Sequence, residues 1–311
     1  MPGEWLKTYM PEAKPWITYC SVQQGQWIRV MHGQDQLVHL FEEHSIPCVI
    51  IKGAAAAMAY PHPMLRSMGD VDILVKREDQ NRAAELMETN GFTLTHDKDQ
   101  LRHHYNYSKD NISFELHRRL PVIDNEDEKL LSLFEDGIDH REWAEIENYR
   151  FPVLPTYLNG FVLIFHINQH MRSGLGLRQI IDWMMYVNRL SPTQWEELRD
   201  MLRCLGLETL ALTVTGMCQK YLGLPRTFSG CETIDPQVQD DLMNYILEKG
   251  NFGRKAGLDG RMAAFSLSAT EKGFFLSVSN SVVCFSGKQQ RNIQCCVPLP
   301  GSISRSEFLG Y

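Results

Sequence analysis

Residues 67–76 read SMGDVDILVK and set Asp70 and Asp72 one residue apart inside an apolar run. The alternation predicts a strand. Successive strand side chains point to opposite faces, so Asp70, Asp72 and Leu74 share one face and Val71, Ile73 and Val75 line the other. Two carboxylates so close repel each other, and desolvation adds to the cost. A divalent cation relieves both, and Mg²⁺ prefers carboxylate oxygens while leaving positions open for phosphate oxygens. This pair therefore restricts the fold to one that holds a strand still while its polar face looks into a charged cleft.

The stretch ISFELHRRL predicts a second strand, with Ser113, Glu115 and His117 on one face. If it lies beside the Asp70 strand, Glu115 completes a three-carboxylate cluster suited to holding two cations for phosphoryl transfer. Upstream, IIKGAAAA reads as a strand that ends at Lys52–Gly53 and passes directly into a helix. Gly53 allows close backbone approach, a helix start offers free N–H groups to phosphate, and Lys52 supplies a point charge. Arg66, in the loop before Asp70, is a second candidate phosphate ligand. Taken alone, the carboxylates also fit a turn residue after Gly69 and a solvated edge-strand residue. Lys52, Gly53, Arg66, Asp70, Asp72 and Glu115 in this order, on these elements, favour a site.

The remaining pattern frames that core. Residues 23–45 carry Trp27, Val30, Met31, Leu37, Leu40 and Phe41 at helical spacing, read as one or two helices broken near Gly33. The expected α/β (α+β) arrangement is an N-terminal helical segment (1–45), a small mixed-sheet domain (46–125), an acidic linker region (126–155), a helical domain (156–257) and an irregular tail (258–311). REDQNRAAELMETNG predicts an amphipathic helix with Gly91 at its C-cap, and Lys109–Asn111 a turn between two strands. Four helices are expected between Thr156 and Leu222, and a fifth at PQVQDDLMNYILEKG. No repeats are present.

Composition narrows the setting. The 311 residues are 43% apolar and carry a formal net charge of −7, which argues against coating nucleic acid through bulk charge. The eight cysteines form no C-x-x-C pair and the N-terminus has no apolar signal region, so free thiols in a reducing cytoplasm are expected. The longest apolar runs, LNGFVLIFHIN and IPCVII, fall well short of the roughly 20 residues a membrane span needs.

The stretch IPCVIIKGAAAAMAYPHPMLRSMGDVDILVK resembles the signature of the polymerase-beta-type nucleotidyltransferase superfamily. Within it, K-G, an arginine, G-D-V-D-I-L-V and then F-E-L-H resemble the uncharacterised bacterial nucleotidyltransferase family. The segments FHINQHMRSGLGLRQIIDWMMYV and GNFGRKAG are similar to it as well, so the likeness runs from about residue 25 to about 257. The resemblance implies a nucleotidyltransferase domain closed by a helical domain. It implies metal-binding catalytic roles for Asp70, Asp72 and Glu115, and a triphosphate held around Gly53. The implied reaction moves a nucleoside monophosphate from an NTP such as ATP to an acceptor hydroxyl, with Mg²⁺ or Mn²⁺ and release of pyrophosphate. The acceptor is unknown, a small molecule or sugar phosphate being favoured over protein or RNA. One departure stands out: Ala54 follows Gly53 where the superfamily usually has a small hydroxyl residue, and Lys52 is the candidate substitute. The alternative is a non-enzymatic nucleotide-binding regulator or toxin–antitoxin-type partner on the same fold.

In the helical half, His166 and His170 share a helix face. They lack the glutamate of H-E-x-x-H, which argues against zinc. They fit either interdomain hydrogen bonding or nucleotide and acceptor contacts across the cleft, where Arg172 and Arg178 also stand. Asp182 reads as a partner for Arg178. Trp143, Trp183 and Trp195 read as core. Near the carboxylates, His103, His104 or His117 is a candidate to assist. The basic stretch ILEKGNFGRKAG is either a loop at the cleft mouth or a solvated one.

Overall fold

The computed structural model describes residues 13–95, 104–118, 128–171 and 174–249. Helix α1 (Ala13–Glu43) leads into β1 (Cys48–Ile51), the short α2 (Gly53–Ala57), β2 (Asp70–Val75), α3 (Gln80–Thr89) and β3 (Thr93–Leu94). The hairpin β4 (His104–Lys109) and β5 (Ile112–His117) follows, then α4 (Glu128–Asp139) and a second hairpin, β6 (Glu142–Ile146) and β7 (Tyr149–Val153). Five helices complete the described chain: α5 (Thr156–His170), α6 (Leu177–Arg189), α7 (Pro192–Cys204), α8 (Glu208–Tyr221) and α9 (Pro236–Lys249).

The strands form one mixed sheet in the order β3-β4-β5-β2-β1-β7-β6. β2 lies parallel to β5, and β1 parallel to β7; the other pairings are antiparallel. The pleat sorts the side chains between two cores. Val71, Ile73, Val75, Phe114 and Leu116 face α1, packing with Trp27, Met31 and Phe41. On the opposite face Val49, Ile51 and Leu74 join the core built by α4 to α9, around Phe161, Ile164, Trp183 and Leu198. Each fully buried side chain of this kind contributes about 1.5–3 kcal/mol of transfer free energy. Because Leu74 and the aspartates share a face, the aspartates look toward the helical half.

Three expectations are revised. Helix α1 is continuous through Gly33. The glycine is there for close approach: a Cβ on it would come within 2.6 Å of Ile112 Cδ1. The stretch expected as a linker, 126–155, instead carries α4 and the β6–β7 hairpin, and β7 extends the sheet beside β1. Trp143 is 38% exposed with Arg150 stacked on its ring, whereas Trp183 and Trp195 are buried as expected.

The hairpin turn follows from its residues. Asp110 and Asn111 have φ of 52° and 59°, the left-handed pair that a two-residue turn matching strand twist requires and that Asp and Asn tolerate. Asn90 caps α3 and Gly91 follows at φ 83°. Cys48, Cys218 and Cys231 are buried free thiols, and Cys20 and Cys204 exposed ones. No helix among the described residues is long and apolar enough to cross a membrane. His103, Arg172, the GNFGRKAG stretch and the tail lie outside the described residues.

Candidate active site

The site is built on the parallel pair. Its register places Asp70 opposite Ser113 and Asp72 opposite Glu115, so all four face the helical half together. Asp72 is buried at 3% exposure, while Asp70 and Glu115 are half-buried. Lys52 Nζ donates to Asp72 Oδ1 at 2.7 Å. His117 Nε2 lies 2.9 Å from the same oxygen and 3.1 Å from Glu115 Oε2. Across the antiparallel pair, His104 stands opposite His117, with ring centroids 4.8 Å apart and Nε2 3.9 Å from Glu115 Oε2. The three predicted carboxylates and Lys52 thus converge, and His117 proves to be the hub between Asp72 and Glu115. The F-E-L-H pattern carried that signal, since residues two apart in a strand share a face.

The electrostatics follow from burial and charge. Burial raises the Asp70 carboxyl, and the charges of Asp72 and Glu115 raise it further. Burial acts the same way on Asp72, but Lys52 and the His117 hydrogen bond outweigh it and hold that carboxyl well below the usual range. Burial would lower His117 and Lys52; their carboxylate partners reverse this, and both protons are held more tightly than usual. His104 moves the other way, lowered by burial and by the neighbouring His117. A set of converging carboxylates with Asp70 raised by like charge has the chemistry of a hard-cation site. His104, Glu115 and His117 also present ligand atoms within 4.8 Å of one another.

Lys52 is positioned by an unusual turn. Its φ of 55° and ψ of −128° lie where non-glycine residues rarely go, a conformation that costs about 1–3 kcal/mol. The following Gly53 has φ 20°, and a Cβ there would meet Asp70 O at an ordinary 3.7 Å. Conformation, not crowding, selects glycine at this corner. Ala54, Ala56 and Ala57 bury the short helix that follows.

Arg66 is placed differently from its sequence expectation. Its Nε and Nη2 donate to Asp182 Oδ1 and Oδ2, both at 2.9 Å, and Tyr60 Oη donates to Oδ1 at 2.8 Å. Arg66 and Asp182 are 6% and 3% exposed. Phosphate contact by Arg66 would break a buried bidentate pair. Asp182 likewise takes Arg66 and Tyr60 as its partners, in place of the Arg178 that spacing suggested. The pair ties the loop before β2 to α6, a link across 116 residues that local pattern does not reveal. On α5, His166 Nε2 and His170 Nε2 are 2.9 Å apart.

The chain matches a family model described as uncharacterised nucleotidyltransferase over residues 8–223. No curated protein matches it. Among solved structures it is similar to the antibiotic-resistance factor ANT(2'')-Ia in solution, with 13% identity and a TM-score of 0.41, covering 55% of this chain and 92% of that one. It is similar to an antigenic nucleotidyltransferase-like protein from Paracoccidioides brasiliensis, with 15% identity and a TM-score of 0.39, covering 63% of this chain and 89% of that one. The lincosamide antibiotic adenylyltransferase LnuA, bound to lincomycin, follows at 12% identity and a TM-score of 0.34, covering 49% of this chain and 92% of that one.

Proposed function

The chain belongs to the uncharacterised nucleotidyltransferase family, and from that membership we propose that it transfers a nucleoside monophosphate from an NTP to the hydroxyl of a small acceptor, releasing pyrophosphate. One observation carries this reading. The β2–β5 register brings Glu115 beside Asp72 on the face that Asp70 shares. A binding protein has no use for three carboxylates gathered at the cost of mutual repulsion.

Asp70, Asp72 and Glu115 are the groups that would hold Mg²⁺ or Mn²⁺, one or two ions, in a cytoplasmic setting. Such a cation supplies charge neutralisation and polarises the phosphate. The rest of the work falls to the chain. Lys52 and His117 keep Asp72 ionised and fixed in orientation. Lys52 and the Gly53 backbone stand at the strand-to-helix corner where the phosphates would lie. Arg66 contributes by anchoring the loop that leads into Asp70. Preorganised charge of this kind is the main catalytic resource in phosphoryl and nucleotidyl transfer.

The test is pyrophosphate release by purified protein with Mg²⁺ or Mn²⁺, each of the four NTPs (ATP first) and a pooled small-metabolite acceptor mixture. Asp70→Asn and Asp72→Asn should each lower the rate by upward of about 100-fold, several kcal/mol of lost stabilisation, with unchanged circular dichroism. Metal-independent nucleotide binding without any pyrophosphate release would support the regulator reading instead.

A further inference from the structure

Attack by a hydroxyl on phosphorus needs somewhere for the hydroxyl proton to go. The carboxylates of the β2–β5 pair are poorly suited. Asp72 already accepts two donors, and the others belong to the cation site. A separate group on the helical half is better placed.

His166 is half-buried on α5, which packs against α2 immediately after Lys52. Its Nε2 faces His170 Nε2 at 2.9 Å, so one of the two nitrogens carries a proton and the other a lone pair. The remaining nitrogen of His170, Nδ1, is turned to the backbone of Gly174, whose hydrogen bond favours a proton there. The Gly174 N–H in turn donates to the His170 carbonyl at 3.0 Å and fixes that turn on the helix end. This chain of bonds sets the tautomers. His170 carries its proton on Nδ1 and accepts at Nε2; His166 donates from Nε2 and keeps a bare Nδ1. Among the described residues nothing hydrogen-bonds His166 Nδ1.

We propose that His166 Nδ1 is the base that takes the proton of the acceptor hydroxyl as its oxygen attacks the α-phosphorus of the NTP. The new bond joins the acceptor oxygen to phosphorus. The bond from phosphorus to the bridging oxygen of pyrophosphate breaks, and its electron pair leaves with pyrophosphate. The hydroxyl proton passes to His166 and then to solvent. His170 is a positioning residue that holds the ring and its tautomer.

The surroundings suit the role. Burial lowers His166 well below its ordinary value, and the charges of Lys52, His170 and Arg178 lower it further against a smaller opposing effect from Asp72. The ring is therefore neutral at pH 7 with its lone pair available, and a neutral imidazole of this kind is a competent general base.

The inference rests on the nucleotidyltransferase reading, so its test separates the two. Wild type, His166→Ala and His166→Gln are compared with ATP, Mg²⁺ and glycerol as the acceptor hydroxyl, following pyrophosphate from pH 5 to 9. Both variants should fall by about 10²–10⁴-fold and lose the acid limb of the wild-type profile. Added imidazole should restore part of the His166→Ala rate, and MgATP affinity should stay within about twofold. Nitrogen-15 NMR of the wild-type imidazoles should show His166 unprotonated at Nδ1 at pH 7, a readout independent of any acceptor. A proton on that nitrogen, an unchanged His166→Ala rate, or a loss that imidazole does not relieve overturns the proton role while leaving transfer intact. Wild type that releases no pyrophosphate overturns both readings together.

Discussion

Removing the charge of Asp182 isolates the tie between the two halves of the molecule. Asp182→Asn keeps the volume but leaves the Arg66 guanidinium, 6% exposed, without its counter-charge. Two 2.9 Å bonds to Arg66 and one 2.8 Å bond from Tyr60 converge on this carboxylate. Breaking a buried pair from one side typically costs about 3–5 kcal/mol, because the surviving charge stays buried. At about 2–4 °C per kcal/mol for a chain of this size, Tm should drop by about 6–20 °C. Urea unfolding followed by tryptophan fluorescence is a suitable assay, since buried Trp183 adjoins Asp182. The control removes all partners together. Tyr60→Phe, Arg66→Met and Asp182→Leu combined leave no orphaned polar group and should recover most of the loss, as apolar replacement of whole buried ion pairs often does. A single-variant cost below about 1 kcal/mol, or a triple variant no better than the single, would refute the argument. MgATP binding retained by the triple variant would show that Arg66 holds structure and not phosphate.

Two further outcomes follow from local geometry and titration. Unfolded histidine titrates near 6.5, whereas folded His166 is held well below it, so the unfolded state binds more protons as pH falls through 6.5. The stability contribution is complete above that pH and should decline beneath it by at most about 1.4 kcal/mol per pH unit; urea midpoints between pH 7.5 and 5 should fall less steeply for His166→Gln, and equal slopes would contradict this. Gly160→Ala would drive a Cβ to 2.5 Å from Tyr186 Oη and 2.8 Å from its ring, threatening the Tyr186 bond to Thr156 O, at a cost of about 2 kcal/mol or more. Gly25→Ala, with nothing within 4 Å on α1, should instead stabilise by up to about 1 kcal/mol, and thermal melts of the two variants check both signs.

What could be read in advance was local. Alternation in DVDILV and SFELH fixed which side chains share a face, and Asp110–Asn111 announced the turn that sets β5 running. The helical periodicity of 156–222 needed no partner to be visible. The Arg66–Asp182 pair was not legible, because a bidentate contact across 116 residues leaves no spacing behind. Gly33 misled for a related reason. Glycine weakens a helix locally, and only the neighbouring hairpin reveals why the helix accepts it. The β6–β7 hairpin was hidden by acidic composition: in β6 the exposed Glu142 and Glu145 share the strand with buried Ala144 and Ile146.

The parallel pairing of β2 with β5 has a consequence for how this chain can vary over generations. Asp72 and Glu115 meet only because each strand counts its residues in twos. One residue inserted between Phe114 and Glu115 would swing the carboxylate into the apolar layer against α1 and turn a phenyl ring into the cleft. The inheritance of the site is therefore a matter of parity. The turns can lengthen or shorten freely, while β2 and β5 tolerate changes of letter but not of count.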